Sequence, residues 1–381
     1  MIRLLARPLT LLTSALILIA LGACEPADPE PDTTEVSPYE TPADIDPPTA
    51  IRPEVSGMHG AVVAGHPLAA AAGYEVLRQG GNAVDAAVTM AAVLAVVRPH
   101  MNGIGGDAFA LFYDAASGEV RALNGSGRAA ALATPEFFAE RELESMPGSG
   151  ALAVTVPGAV SAWAAALERS GTISLDQALR PAVRLAEEGF VATHTLAEDL
   201  EDVSGLNEAG QAIYAPGGEA LRAGQLLRNP ALAGALRRIG TVGPGALYGG
   251  EVGEALVEFL EAEGSPLRIE DFAAHEADWV APAGVDLLGR RIYTVPPNSQ
   301  GIAVLQTLGI ADALGLEGKS SLSPGVMHEL LEARKLAFAD RDRWVADPET
   351  DPAPLDRLLD PGYLAERAAL IADEAVEERD A

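Results

Sequence analysis

One stretch constrains the fold more than any other. Ala83–Val97, AVDAAVTMAAVLAVV, is apolar on nearly every face when wound as a helix, and such a helix is stable only where other elements surround it. Asn82 is a good N-cap for it and Pro99 closes it. The chain must therefore assemble a large core, and 381 residues are enough to do so. A composition of 48% hydrophobic and 21% charged residues is that of a globular protein and excludes wholesale disorder.

Candidate surrounding elements lie on both sides of this helix. Gly57–Ala64 reads as a short strand, and Pro67 opens a helix that Gly80-Gly81 stop. Phe109–Tyr113 and Glu119–Leu123 read as two strands joined by a turn at Ala115–Gly118. Val154–Gly158 (VTVPG) leads into a helix through Trp163 to Glu168, and LDQALRPAVRLAEEGF is a further helix with a proline inside it. A strand at Arg291–Val295 enters PPNSQG, and a helix follows from Ile302. The last element places Met327, Leu330, Leu331, Leu336–Phe338 and Trp344 on one amphipathic stripe. Alternating helices and short strands give an α/β or α+β class.

The amino terminus has a different character. Residues 1–23 read as a secretory signal, with Arg3 and Arg7 ahead of an apolar run from Leu11 to Leu21. That run is shorter than the roughly 20 residues a membrane span needs. Leu21-Gly22-Ala23-Cys24 resembles a bacterial lipobox, which makes Cys24 the expected lipidation site. Acyl chains there hold an exported protein on the periplasmic or extracellular side of a bacterial membrane without crossing it. Residues 24–52 form an acidic, proline-rich tether. Glu25–Ala50 holds seven prolines, eight acidic residues and no Lys or Arg, a composition that stays extended. Residues 53–381 are the folded region.

A formal charge of -29 argues against a nucleic-acid partner. The one cysteine, Cys24, leaves no internal disulfide and no Cys-based metal site. None of His59, His66, His100, His194, His275 and His328 pairs with another at a metal-ligand spacing. His328-Glu329-Leu330-Leu331-Glu332 starts like a zincin motif but carries Glu332 where a second histidine belongs. No metal and no cofactor are expected. Asn102–Asp107 (NGIGGD) follows a helix and precedes a strand, the reverse of a phosphate loop, so close backbone packing is the expected role of its glycines. Gly125-Ser126-Gly127 lacks the spacing of a serine-hydrolase elbow and reads as a turn. The residues alone therefore assemble no catalytic constellation.

Several blocks together resemble the γ-glutamyltranspeptidase family. They are His66–Pro99 with the following HMNGIGG, Val156-Pro157-Gly158, Arg180–Phe190, Pro296–Gly301 and His328–Pro348, in the family's order. The resemblance implies an α+β fold, the four-layer αββα sandwich of the N-terminal-nucleophile hydrolases. It also implies a precursor that cuts itself in two and exposes an N-terminal threonine as nucleophile on the small subunit. No such threonine is expected within this chain. Thr33-Thr34 lies in the tether and Thr193-His194-Thr195 in a helical region. The sequence thus reads as the large-subunit portion, its sandwich incomplete without a small-subunit partner piece, and no catalytic residue is assigned in it.

The expected substrate is a small γ-glutamyl compound such as glutathione, or another amide. Transpeptidases of the family resemble Asp-Phe-Arg-Glu where this chain has Asn124–Gly127, their arginine clamping the glutamyl α-carboxylate. Here Ser126 fills that slot and Arg128 follows two residues on, so Ser126 and Arg128 are the candidate substrate-binding residues. The pattern looks more like the family's acylase and amidohydrolase branch. A lipid-anchored remnant without activity is the non-enzymatic alternative.

Overall fold

The structure is a computed structural model that describes residues 55–380, apart from Glu144, Leu288, Ser321 and Glu378. The signal, Cys24 and the tether lie outside the described residues. Helix α1 (Pro67–Arg78) carries proline in its first turn and His66 as N-cap, with Nδ1 accepting the Leu68 N–H. Helix α2 (Ala83–Val97) begins in a capping box made by Asn82 and Asp85. Asp85 is fully buried, yet it also accepts from the Thr172 N–H and hydroxyl at 2.7 and 2.5 Å. Burial raises this carboxyl's pKa and these bonds lower it; the bonds prevail, so the group stays ionised in the core.

Strands β1 (Ala108–Asp114) and β2 (Glu119–Gly125) form the expected hairpin, paired from Ala108 with Gly125 to Asp114 with Glu119. A short helix α3 (Pro135–Ala139) follows, then α4 (Ala159–Ser170) and α5 (Leu175–Glu188), which tolerates Pro181 inside it. Strand β3 (Phe190–Val191), helices α6 (His194–Asp199) and α7 (Glu208–Tyr214), and strand β4 (Leu226–Leu227) lead to α8 (Pro230–Val242), α9 (Glu251–Ala262) and α10 (Ile269–Ala273). Strand β5 (Asp278–Val280) adds to β2, completing a sheet of order β1-β2-β5. Helices α2, α4, α5 and α8 supply most of the first core, with Phe272 and Leu236 wholly enclosed.

A second, smaller core belongs to the last hundred residues. Hairpin β6 (Ala283–Leu287) and β7 (Arg290–Thr294) packs on α11 (Gly301–Ala313), with α12 (Pro324–Trp344) and α14 (Pro361–Ala368) around it. The four-residue α13 (Leu355–Leu358) precedes α14.

Three expectations need correction. Gly57–Ala64 is irregular exposed backbone rather than a strand, because no partner strand among the described residues takes up its hydrogen bonds. Gly103, Gly105 and Gly106 have no tight contact where a Cβ would sit, so their loop is not the close-packed one. The stripe on α12 is also displaced. Met327 and Leu331 are exposed, and the buried face carries Val326, Glu332, Ala333, Leu336, Ala337 and Asp340. Hydrophobic periodicity misplaced that face because two carboxylates lie in it, neutralised by Arg367 and Arg379 from distant positions and, for Glu332, by Lys335 one turn along. Glu332 receives Lys335 Nζ and Arg379 Nη2 at 2.7 and 2.6 Å, and Asp340 receives Arg367 Nη2 at 2.9 Å.

The β1 side of the first sheet is open among the described residues. Phe109, Leu111 and Tyr113 alternate outward, Tyr113 with 69% of its surface exposed. Beside them lies a cleft of about 800 Å³ bounded by β1, α2 and α4.

Candidate active site

Strand β2 runs out at Gly125 into Ser126-Gly127-Arg128, and glycine lets three backbone segments meet there. A Cβ on Gly127 would lie 1.7 Å from the Val156 carbonyl oxygen, and one on Gly158 would lie 2.1 Å from that of Gly125. Only glycine fits such contacts. The close approach expected at Gly103–Gly106 is therefore found at Gly125, Gly127 and Gly158. Hydrogen bonds fix the junction. The Val156 N–H donates to the Arg128 carbonyl at 3.0 Å. Gly158 and Ala159, at the start of α4, both donate to the Gly106 carbonyl, at 3.0 and 2.8 Å. Asp107 Oδ1 accepts the Gly127 N–H at 2.8 Å.

Ser126 is half-buried and sits in a ring of three side chains. Its N–H donates to Asn124 Oδ1 at 3.0 Å, Asn124 Nδ2 donates to Asn298 Oδ1 at 2.8 Å, and Asn298 Nδ2 donates to Ser126 Oγ at 2.8 Å. Asn298 belongs to PPNSQG, whose Gln300 accepts from Arg341 of α12 at 2.8 Å. A serine bonded to an amide has no base to take its proton, so Ser126 is a positioned polar group and not an activated nucleophile.

Arg128 presents its guanidinium to the second lobe. Nη1 and Nη2 donate to the two carboxylate oxygens of Glu349, each at 2.9 Å, and Asp278 lies 3.5 Å away. The pairing with Glu349 raises the arginine further above its ordinary range. Behind it, His275 is buried against Tyr248, ring centres 5.5 Å apart. Burial first, and then Arg128, lower its pKa despite Asp107 and Asp278, so the imidazole is neutral at neutral pH. Tyr248 donates to the Pro157 carbonyl at 2.7 Å and accepts the Ser161 N–H at 2.9 Å; burial pushes its hydroxyl well above the usual range.

The remaining sequence candidates have structural roles. Thr193 Oγ1 caps α6 by accepting the Leu196 N–H at 3.1 Å. His328 Nε2 is 2.7 Å from the Ala372 carbonyl, and Glu332 holds Arg379, so the zincin-like start ties down the C-terminal segment. Asn298, Glu349 and His275 escaped the sequence reading as site residues. PPNSQG marked the segment of the first, and nothing local marks the other two.

An arginine fork and an amide–hydroxyl ring meet at a glycine-built loop, with a neutral imidazole buried within electrostatic reach of the arginine. The α+β frame is that of the N-terminal-nucleophile hydrolases. γ-Glutamyltranspeptidase from Pseudomonas nitroreducens complexed with L-DON matches with a TM-score of 0.77 and 30% identity, over 84% of this chain and 97% of that one. Cephalosporin acylase from Bacillus halodurans matches with a TM-score of 0.78 and 34% identity, over 89% of this chain and 65% of that one. The family model for gamma-glutamyltranspeptidase matches residues 69–380, and the chain belongs to that family. Among curated relatives, the glutathione hydrolase-like YwrD proenzyme of Bacillus subtilis (strain 168) is 37% identical over 324 residues, 84% of this chain and 62% of the relative. The acylase ACY 1 proenzyme of Pseudomonas sp. (strain SE83) is 37% identical over 336 residues, 85% of this chain and 60% of the relative. The chain spans about 60% of the length of these curated relatives.

Proposed function

We propose that this chain is the large-subunit portion of an exported enzyme that cleaves γ-glutamyl amides of the glutathione type. An N-terminal threonine on a small-subunit piece attacks the amide carbonyl while its own α-amine takes the hydroxyl proton, which then passes to the leaving amine. The α-amine titrates near neutrality, which suits it to that task. Water hydrolyses the resulting ester, or an acceptor amine takes the acyl group. The match over 97% of a γ-glutamyltranspeptidase chain carries this reading, and the open β1 edge beside an apolar cleft supports a partner piece. Residues of the Ser126–Arg128 loop face the acyl group of the substrate.

A second reading, an acylase or small-amide amidohydrolase, is favoured by one observation. The arginine slot holds Ser126, and the nearby guanidinium of Arg128 already has a carboxylate, that of Glu349. Assay of the complete gene product on a γ-glutamyl anilide beside glutaryl and oxamate amides separates the two. Turnover of the anilide sustains the first reading; acid released only from the other amides replaces it with the second, and no turnover of any leaves the inactive remnant.

Anchorage at Cys24 is part of the proposal. Radiolabelled palmitate should enter the exported protein and be lost in Cys24→Ala, and labelling of that variant would refute the anchor.

A further inference from the structure

The Arg128 fork is filled by a residue 221 positions away in sequence. Glu349 sits on a turn after α12, fixed by its own N–H donating to Asp347 Oδ1 at 3.0 Å and by the Asp351 N–H on the Asp347 carbonyl at 2.8 Å. Its carboxylate takes the two-pronged geometry that a guanidinium offers to any carboxylate. Both side chains are open to solvent, Arg128 by 45% and Glu349 by 64%. The pair is thus positioned where small molecules reach it, and an exposed ion pair is weak enough to open readily. The other carboxylates around Arg128 do not duplicate the contact: Asp278 stands off at 3.5 Å, Asp107 is committed to the Gly127 N–H, and Asp347 to its own turn.

We propose that Glu349 is an internal stand-in for a substrate carboxylate, and that carboxylate-bearing acyl groups bind by displacing it from Arg128. The proposal rests on the reading of the Ser126–Arg128 loop as an acyl-binding wall. Exchange swaps one carboxylate for another at a single guanidinium, so the net charge of the contact is unchanged. Glu349 is tethered, and free ligands compete with its high local concentration. A carboxylate making no other contact loses that competition. One that also reaches the Ser126–Asn298 ring gains a second contact and wins it. Glu349 thereby sets a threshold: it weakens every carboxylate ligand by the same factor, the inverse of the fraction of time the fork is open, so that the second contact decides which of them still bind.

The test is titration of the full chain, with any piece that accompanies it, using glutarate as the probe and calorimetry as the readout. Glu349→Gln should bind glutarate about fivefold more tightly, the size of an exposed pair removed. The gain should vanish when Arg128→Gln is added. Glutarate binding no tighter in Glu349→Gln, absent binding included, overturns the proposal, as does an equal gain without Arg128. Glu349→Ala repeats the measurement should the glutamine variant melt non-cooperatively. Turnover is scored separately: tightened binding in a gene product that cleaves no amide sinks the enzymatic reading and leaves the stand-in intact.

Discussion

The two cores hold together by different physics. In the first lobe, α2, α4, α5 and α8 meet through alanine, valine and leucine, and Phe272, Leu236 and Ile239 are wholly enclosed. In the second, the face of α12 that turns inward carries Glu332 and Asp340, with Arg367, Arg379, Lys335, Gln306 and Tyr363 around them. Both lobes exclude water from apolar side chains, but the first buries a single carboxylate, Asp85, held by neutral donors, whereas the second buries two that are matched by cations. A buried carboxylate with both partners in place is tolerated; one deprived of a partner is costly. The first lobe should therefore respond most to lost volume, with an acid response confined to Asp85 and His275, and the second to lost charge at its cation-paired carboxylates.

The largest expected effect tests the apolar lobe. Phe272→Ala should cost about 4 kcal/mol in urea unfolding, while leaving the acid dependence of stability as it was. A changed acid limb would erase the contrast. Next comes the charged lobe. Glu332→Gln leaves Arg379 and Lys335 without their counter-charge and should cost about 3 kcal/mol at neutral pH. Burial alone would raise this carboxyl; bonds from Lys335, Arg379 and the Val376 N–H outweigh it and hold it at about 2. A lowered folded value means the stabilisation is complete above the unfolded carboxylate range and disappears as pH falls from about 4.5 towards 2. Melting curves from pH 6 to pH 3 should show that loss in the unsubstituted chain and a flatter profile in Glu332→Gln.

His275 gives the apolar lobe a milder acid response of its own. Its lowered folded value makes protonation favour unfolding, so stability conferred by the neutral ring declines as pH drops below about 6.5. His275→Phe should remove that upper step and leave the lower one, which the same melting series would resolve. A smaller effect is expected at Ser161, whose Oγ accepts the buried Ala277 N–H at 2.8 Å. Ser161→Ala should cost about 1 kcal/mol. The exposed Asp176–Arg180 pair on α5 should matter least, under about 0.5 kcal/mol for Asp176→Asn.

The contrast also explains what the sequence made legible. Elements whose identity is written in nearby residues were readable: the Asn82 cap and all-apolar α2, the β1–β2 hairpin, and α5 with its internal proline. Gly57–Ala64 has strand composition but no partner strand among the described residues, and propensity cannot supply one. The inward face of α12 was misread because its carboxylates are satisfied by Arg367 and Arg379, far beyond a helical repeat. The site was half legible for the same reason. Ser126 and Arg128 stood out as departures from a family motif, whereas Asn298 and Glu349 meet them across 172 and 221 positions. Contacts of that range leave no local signature.

The glycine junction at Gly125, Gly127 and Gly158 has one more consequence. Since that bend is braced by main chain against main chain, its course owes little to the side chains it displays. Ser126 and Arg128 are fittings on a main-chain bracket, and on the function proposed above, exchanging them retunes which acyl group is accepted without rebuilding the frame beneath.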